Sequence, residues 1–310
     1  MCALISIITD ERAPVARPIY AGAERALIRL ASGEYVCVDT NSIDAIDYLL
    51  GWPMEMHYLP VFRRFLRPTA VVLDIGANFG LYTATAASFV KDRGRLYAFE
   101  ANPHTFKLLQ RTLYANRVIH NPNIVAVNAL VGETSGRGKL YYMPEALGGA
   151  TASDPGPGWR EGRSVEVEML AIDDFLPADL AVDLVKIDVE GHEPFVMRGM
   201  RRTIRRSPNI RIFLEFVEEF LVHTVGADAF VEEIAAQGLH VCEIVPGARI
   251  ERLRPGEKLR GAHFCFLTRT PEEDIAYARR QGGRLAVRLG NWLRRAGRKW
   301  DRWRHALYRL

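Results

Sequence analysis

Cysteine is scarce in this chain. Only Cys2, Cys37, Cys242 and Cys265 occur in 310 residues, and no two form a CxxC pair. That scarcity excludes a zinc knuckle and a disulfide scaffold, and it makes a reducing, cytoplasmic setting the default expectation. Long apolar runs are also missing: none reaches the roughly 18 residues needed to span a bilayer. The opening MCALISII has no basic stretch before it, so no secretory signal is expected. The residues up to about Arg67 show no internal repeat and no low-complexity tract. What remains is 48% hydrophobic and 25% charged, the composition of a globular protein with a sizeable core.

Charge is unevenly spread. Residues 279–310 hold eleven Lys or Arg and one acid, Asp301. With the whole chain at +4 and this segment at +10, the preceding residues carry about −6. By charge alone that larger part is not a nucleic-acid binder, and no nucleic-acid partner is expected. In the tail, Leu285, Leu289, Trp292, Ala296, Trp300, Trp303, Leu307 and Leu310 recur at three- and four-residue steps among arginines. This spacing predicts a basic amphipathic helix over residues 271–310, suited to an anionic membrane surface. A peripheral position at the inner membrane surface is the corresponding expectation.

Residues 1–69 read as a mixed N-terminal cap, with a short strand at Tyr35–Val38 and helical spacing from Asp44 to Leu66, interrupted at Pro53 and Pro60. From 70 to 270 strands and helices alternate. Seven apolar strands are expected, at 70–74, 95–100, 124–128, 183–188, 211–215, 240–244 and 263–268. This predicts an α/β fold with a doubly wound, mostly parallel seven-stranded sheet. The stretch from Met143 to Ser164, rich in Gly and Pro, has neither period and reads as a long loop, placed as a lid over the active site.

Four motifs carry chemistry. In VVLDIGANFGLYT (71–83), a strand ends in Asp74 and a turn with Gly76 and Gly80 leads into a helix. Glycine there permits a tight turn and close approach of backbone to ligand. Asn78 stands where a pyrophosphate-binding GxGxxG turn has its middle glycine. Asp74 repels a pyrophosphate but suits a ligand with an ammonium and a sulfonium, so a nicotinamide oxidoreductase is the weaker reading. About twenty residues on, Glu100 ends a strand where a carboxylate accepts the hydroxyls of a ribose. Asn102 stands where it can cap the next helix. In VDLVKIDVEGHEPFVMRGM (182–200), a buried strand delivers Lys186, Asp188, Glu190 and His192 to its carboxyl end. Glu215 leaves the neighbouring strand at the same edge, within reach of Asp188.

DIGANFGLYT, FEANPHTF, NALVGETSG and above all VKIDVEGHEPFVMRGM resemble the FkbM family of methyltransferases, over about Ala70 to Glu215. The resemblance implies a class I, Rossmann-like methyltransferase fold with S-adenosylmethionine as donor. It further implies methylation of a hydroxyl oxygen on a sugar or other small metabolite, and a glycan or glycolipid acceptor is the leading expectation. Polyketide-like and carboxylate acceptors are the alternative. Carried onto this chain, the cofactor site comprises Asp74, Gly76, Asn78, Gly80, Glu100 and Asn102, with Asn128 and Ala129 near the adenine. Lys186, Asp188, Glu190 and His192 fall at the reaction edge. The resemblance does not single out a base: Asp188 and His192 both qualify, with Glu190 orienting the acceptor. A divalent metal held by Asp188 and Glu215 is a second, less favoured route.

Overall fold

The computed structural model describes residues 18–281, apart from residue 31 and residues 50–52, 91–92, 154–161 and 254–256. Strands β1 (Pro18–Gly22), β2 (Arg25–Arg29) and β3 (Tyr35–Asp39) come first, then helices α1 (Asp44–Leu49) and α2 (Pro53–Phe65). The alternating part follows: β4 (Val71–Ile75), α3 (Leu81–Phe89), β5 (Arg95–Phe99), α4 (Pro103–Ala115) and β6 (Ile124–Val127). An excursion comprises β7 (Leu130–Val131), β8 (Gly136–Met143), β9 (Ala146–Thr151), β10 (Arg163–Leu170) and α5 (Ile172–Phe175). The chain returns through β11 (Leu184–Ile187), α6 (Glu193–Gly199), α7 (Arg201–Arg206), β12 (Arg211–Val217), α8 (Glu218–Leu221) and α9 (Ala227–Ala236). It ends with β13 (His240–Val245), β14 (Arg249–Arg252), β15 (Ala262–Thr268) and α10 (Pro271–Gln281).

The main sheet runs β14-β13-β15-β12-β11-β4-β5-β6. Its centre, β12 to β6, is parallel, and β15 enters antiparallel between β12 and β13. All seven expected strands are present. The eighth, β14, is a hairpin partner added to β13 at the edge. Because β5 lies on one side of β4 and β11 on the other, the winding reverses at β4, and a crevice opens beyond the strand ends there.

Both faces of the sheet are covered, which is why β4 reads VVLDI and is buried at every position. On one face Val36, Val38, Phe62, Tyr82 and Leu108 pack with Val72 and Phe213. Phe213 meets Phe62 and Phe266 edge to face, at 5.3 and 5.2 Å between centroids. Truncating any of these fully buried rings would cost about 3–5 kcal/mol. On the other face Met197, Ile204, Phe230 and Ile234 cover Ile75, Val185 and Ile212. Residues of the N-terminal strands and α2 therefore share one core with the sheet. Cys37 N donates to Thr112 Oγ1 of α4 at 2.9 Å, which ties β3 to that layer.

Two local expectations are corrected. Pro60 does not interrupt the cap helix: α2 is continuous through it and begins at Pro53, a first helical position that suits a residue without an amide proton. The Met143–Ser164 stretch is not one long loop, because β9 pairs with β8 inside it. Glycine and alanine have weak strand preference, so ALGGAT carries no strand signal of its own. Its bonds to the rest of the fold supply the order. β7, β10, β8 and β9 form a second, four-stranded sheet.

Helix α10 packs Tyr277 against Phe65, with ring centroids 5.4 Å apart. The amphipathic pattern from Leu285 to Leu310 lies outside the described residues. Among the described residues no helix is long and apolar enough to cross a membrane.

Candidate active site

The crevice is built first from the turn after β4. Gly76, Asn78 and Gly80 all have positive φ, at 75°, 49° and 93°. A side chain at Gly76 would place its Cβ 1.8 Å from the Asp188 carbonyl oxygen, and one at Gly80 would meet Leu109 Cδ1 at 2.7 Å. Packing requires Gly76, which lets the turn touch the backbone at the end of β11; at Gly80 the left-handed φ disfavours a side chain, and the neighbours are movable side-chain ends of α4.

Asp74, at the end of β4, is fully buried. Thr83 donates its hydroxyl to Oδ2, while Oδ1 has no hydrogen-bond partner and faces the Lys186 ammonium at 3.9 Å. Burial pushes the Asp74 carboxyl upward, and Lys186 opposes that shift. Lys186 is itself buried, beside Asp74 in register across β11 and β4. Its Nζ donates to the Gly76 carbonyl at 2.6 Å, lies 3.4 Å from Asp188 Oδ2, and sits 5.5 Å from the Tyr82 ring centre. One ammonium therefore links strand end, glycine turn and reaction loop. Placed so deep, Lys186 orients its neighbours and does not present a free amine at the mouth.

Glu100 closes the other side. Its Oε2 accepts from Asn78 N and its Oε1 from Asn102 N, both at 2.8 Å. Burial still pushes its carboxyl up to about 7. Asn102 caps α4 by accepting from His104 N, which leaves its Nδ2 buried with no partner. Asn78 Oδ1 is likewise buried and unmatched. Buried polar atoms without partners are uncommon, and three of them, on Asp74, Asn78 and Asn102, border the glycine turn. Asn128 donates Nδ2 to the Glu100 and Ala101 carbonyls, so it shapes that backbone. Ala129 is a core residue packed beneath the site with Val131 and Leu170.

At the reaction edge, ligand oxygens of Asp188, Glu190 and Glu215 lie within 4.8 Å of one another. Asp188 and Glu190 are half-buried and Glu215 is buried. Glu190 is held at φ 52°, a left-handed conformation that a glutamate seldom adopts unaided. Two contacts hold it. Thr151 of β9 donates to the Glu190 carbonyl at 2.6 Å. Behind the loop, buried Glu193 accepts from Val189 N at 3.0 Å and Gly191 N at 3.3 Å through a single oxygen. Burial pushes the Glu193 carboxyl up to about 7.

His192 is not brought to this cluster. Its ring stacks on Phe195 at 4.6 Å, and Nε2 faces Gly132. Neither ring nitrogen has a hydrogen-bond partner, and burial pulls its pKa down to about 4.

Strand β9 crosses the crevice. The Gly148 amide donates to Asp44 Oδ2 at 2.7 Å, and a Cβ there would sit 3.3 Å from Asn78 Nδ2. Three residues on, Thr151 reaches Glu190, so the strand roofs the gap between donor turn and reaction loop. Sequence reasoning did not single out Glu193, Thr83, Thr151 or Asp44. Glu193 is visible in EGHEP, yet nothing in its spacing distinguishes a loop-holding carboxylate from a helix-starting one.

The family model described as the methyltransferase FkbM domain matches residues 74–236, just over half of the chain. Methyltransferase 1 of Beauveria bassiana (strain ARSEF 2860) is 28% identical over 151 residues, covering 42% of this chain and 57% of that protein. The match thus spans less than two thirds of that relative's length. Among solved structures, precorrin-6y C5,15-methyltransferase from Geobacter metallireducens GS-15 aligns at TM-score 0.39 and 18% identity, over 69% of this chain and 87% of its own. M. jannaschii TYW2 in complex with AdoMet aligns at TM-score 0.40 and 14% identity, over 80% and 86%. The fold itself rests on the strand order and crossovers described above. With the family match running from the glycine turn after β4 through the loop after β11 and on to the end of α9, the chain belongs to the FkbM methyltransferase family.

Proposed function

We propose that this protein transfers a methyl group from S-adenosylmethionine to a hydroxyl oxygen, with a sugar of a glycan or glycolipid as acceptor. The observation that carries this reading is the chain of contacts Asp74–Lys186–Asp188, which joins the glycine turn to a group of buried and half-buried carboxylates. The residues present fit the donor. Asp74, with one oxygen lacking a hydrogen bond, would face its ammonium, Glu100 its ribose, and Asn78 and Asn102 offer unmatched polar atoms beside it. When bound, this group supplies an electrophilic methyl on a sulfonium.

The chain's own residues do the rest. Asp188, Glu190 and Glu215 accept hydrogen bonds from neighbouring hydroxyls and aim one oxygen along the line of displacement. Such alignment contributes up to about 7–11 kcal/mol in favourable cases. Asp188 takes the hydroxyl proton, worth roughly a hundredfold or more. Lys186, 3.4 Å away, fixes the orientation of that carboxylate. His192 faces Gly132, so the base role falls to Asp188. A roof at β9 limits access of water.

The carboxylate trio disfavours an anionic acceptor, which argues against carboxylate methylation. It offers oxygen ligands for a divalent ion as a second route to hydroxyl activation, but Lys186 already supplies a cation at Asp188. Activity is therefore expected to survive exhaustive chelation. A dinucleotide is disfavoured because the Asn78 amide, which would cradle a pyrophosphate, is engaged by Glu100. The test is to incubate the purified chain with methyl-labelled donor and extracts of neutral glycans, glycolipids and small carboxylic acids. Base-stable ether label on a sugar is expected. Label found only in base-labile esters would overturn the reading.

A further inference from the structure

Five arginines crowd the segment from 198 to 206, and the methyl-transfer site uses none of them. They divide by helical spacing. Arg198, Arg202 and Arg206 recur every four residues and find acids. Arg198 Nε bonds Glu233 at 2.9 Å and its Nη1 lies 3.7 Å from Glu133. Arg202 Nη2 lies 2.8 Å from Asp174 and its Nε 3.6 Å from Asp173. Arg206 donates to the Leu180 carbonyl at 2.7 Å, with Nη1 3.9 Å from Asp173. These three engage all four acids.

Arg201 and Arg205 form the other stripe, one turn apart and exposed. Neither makes an ion pair or side-chain hydrogen bond with a described residue. They stand as the shared wall of two clefts, of about 410 and 700 Å³. The larger is completed by Arg269, Pro208, Ala236 and Gln237. Arg269 gives Nη1 to the carbonyls of Gln237 and Gly238, at 3.0 and 3.3 Å, and one Nη2 hydrogen to that of Ile204 at 3.0 Å; it meets no carboxylate and keeps Nε and the other Nη2 hydrogen. Glu233, the acid on this wall, is already held by Arg198. Three guanidinium charges therefore line one cleft against a single carboxylate, Glu233, which Arg198 holds and Arg201 also attracts.

The cleft lies away from the reaction edge. Arg269 follows Thr268, which pairs with Arg211 at the start of β12, whereas Glu215 stands further along that strand toward the reaction edge. Guanidinium forks match phosphate oxygens in shape and charge.

We infer that Arg201, Arg205 and Arg269 form an anion site that takes a phosphate group, carried by a lipid headgroup or by a soluble phosphomonoester. It is independent of donor binding and of methyl transfer. The test uses the full chain and an Arg201→Gln/Arg205→Gln variant. Both substituted residues are exposed, so folding and donor affinity should be unchanged. One arm titrates inorganic phosphate and glycerol 3-phosphate by calorimetry. The other sediments the chain with phosphatidylcholine vesicles, with and without phosphatidic acid. The wild type should bind at least one phosphate source, and the variant about tenfold or more weakly. Binding in the soluble arm identifies a phosphomonoester ligand, and binding confined to the phosphatidic acid vesicles identifies a headgroup. Equal binding by wild type and variant in both arms, which would shift the attraction to the basic residues after 279, overturns the inference. So does no binding in either arm.

Discussion

Replacing Glu193 separates a loop-holding role from general stability. Its buried Oε1 is the shared acceptor for the amides of Val189 and Gly191, which flank Glu190 in its left-handed conformation. In Glu193→Ala both amides lose that partner inside the protein, at about 1–3 kcal/mol each. Glu190 then has less to hold it against a left-handed cost of roughly 1–2 kcal/mol. The loop should relax, lowering turnover by about a hundredfold with donor affinity nearly unchanged. Glu193→Gln keeps the accepting oxygen and resembles the protonated acid, so it should retain most of the turnover. The pH response gives an independent reading. Burial raises the folded-state pKa from the ordinary 4.5 to about 7. Between those values the folded chain binds more protons than the unfolded one, so this group makes stability fall as pH rises, and the loss is complete above about 7. A shift of that size corresponds to roughly 3 kcal/mol. Urea unfolding at pH 5 and pH 8 should show that decline in wild type and a smaller one in Glu193→Gln. A glutamine variant as inactive as the alanine variant, or an alanine variant with normal turnover, would refute the reasoning.

Other outcomes follow from the same geometry. Lys186→Met strips the buried Asp74 of its cation, so it should destabilise the fold by about 3–5 kcal/mol in urea unfolding and abolish turnover. Gly76→Ala drives a methyl into the Asp188 carbonyl, and little folded protein should be recovered. Asp188→Asn should lower turnover about a hundredfold at unchanged donor affinity, whereas His192→Ala should stay within about threefold of wild type in the same assay. Asp44→Ala releases one tether of β9 and should raise the acceptor KM more than it lowers kcat.

The strands were legible because both faces of the sheet are covered. Runs such as VVLDI and LVKI are apolar apart from one charged residue each, Asp74 and Lys186, and each ends where Gly or an acid interrupts it. The glycine turn was legible for a related reason, since glycine at 76 and 80 marks left-handed backbone, and at 76 also a close approach to the Asp188 carbonyl. Strand β9 left no such trace. Its order comes from Ser42, Asp44 and Glu190, residues distant in sequence, and ALGGAT alone says nothing of them. His192 shows the opposite difficulty. Placed beside Asp188 and Glu190 in sequence, it turns away once the loop bends at Glu190 and Gly191, whose φ values of 52° and 94° cannot be read from composition. Lys186 was read at the reaction edge, but its depth and its bond to the Gly76 carbonyl needed the register of β11 on β4.

The central claim is that the turn from Asp74 to Gly80, with Glu100 beside it, binds a sulfonium nucleoside. Titration calorimetry of the full chain with S-adenosylmethionine tests it directly, alongside Asp74→Asn and a nicotinamide dinucleotide. The account predicts one donor per chain, affinity about tenfold weaker in Asp74→Asn, and no heat from the dinucleotide. Tight dinucleotide binding with no uptake of S-adenosylmethionine would contradict it.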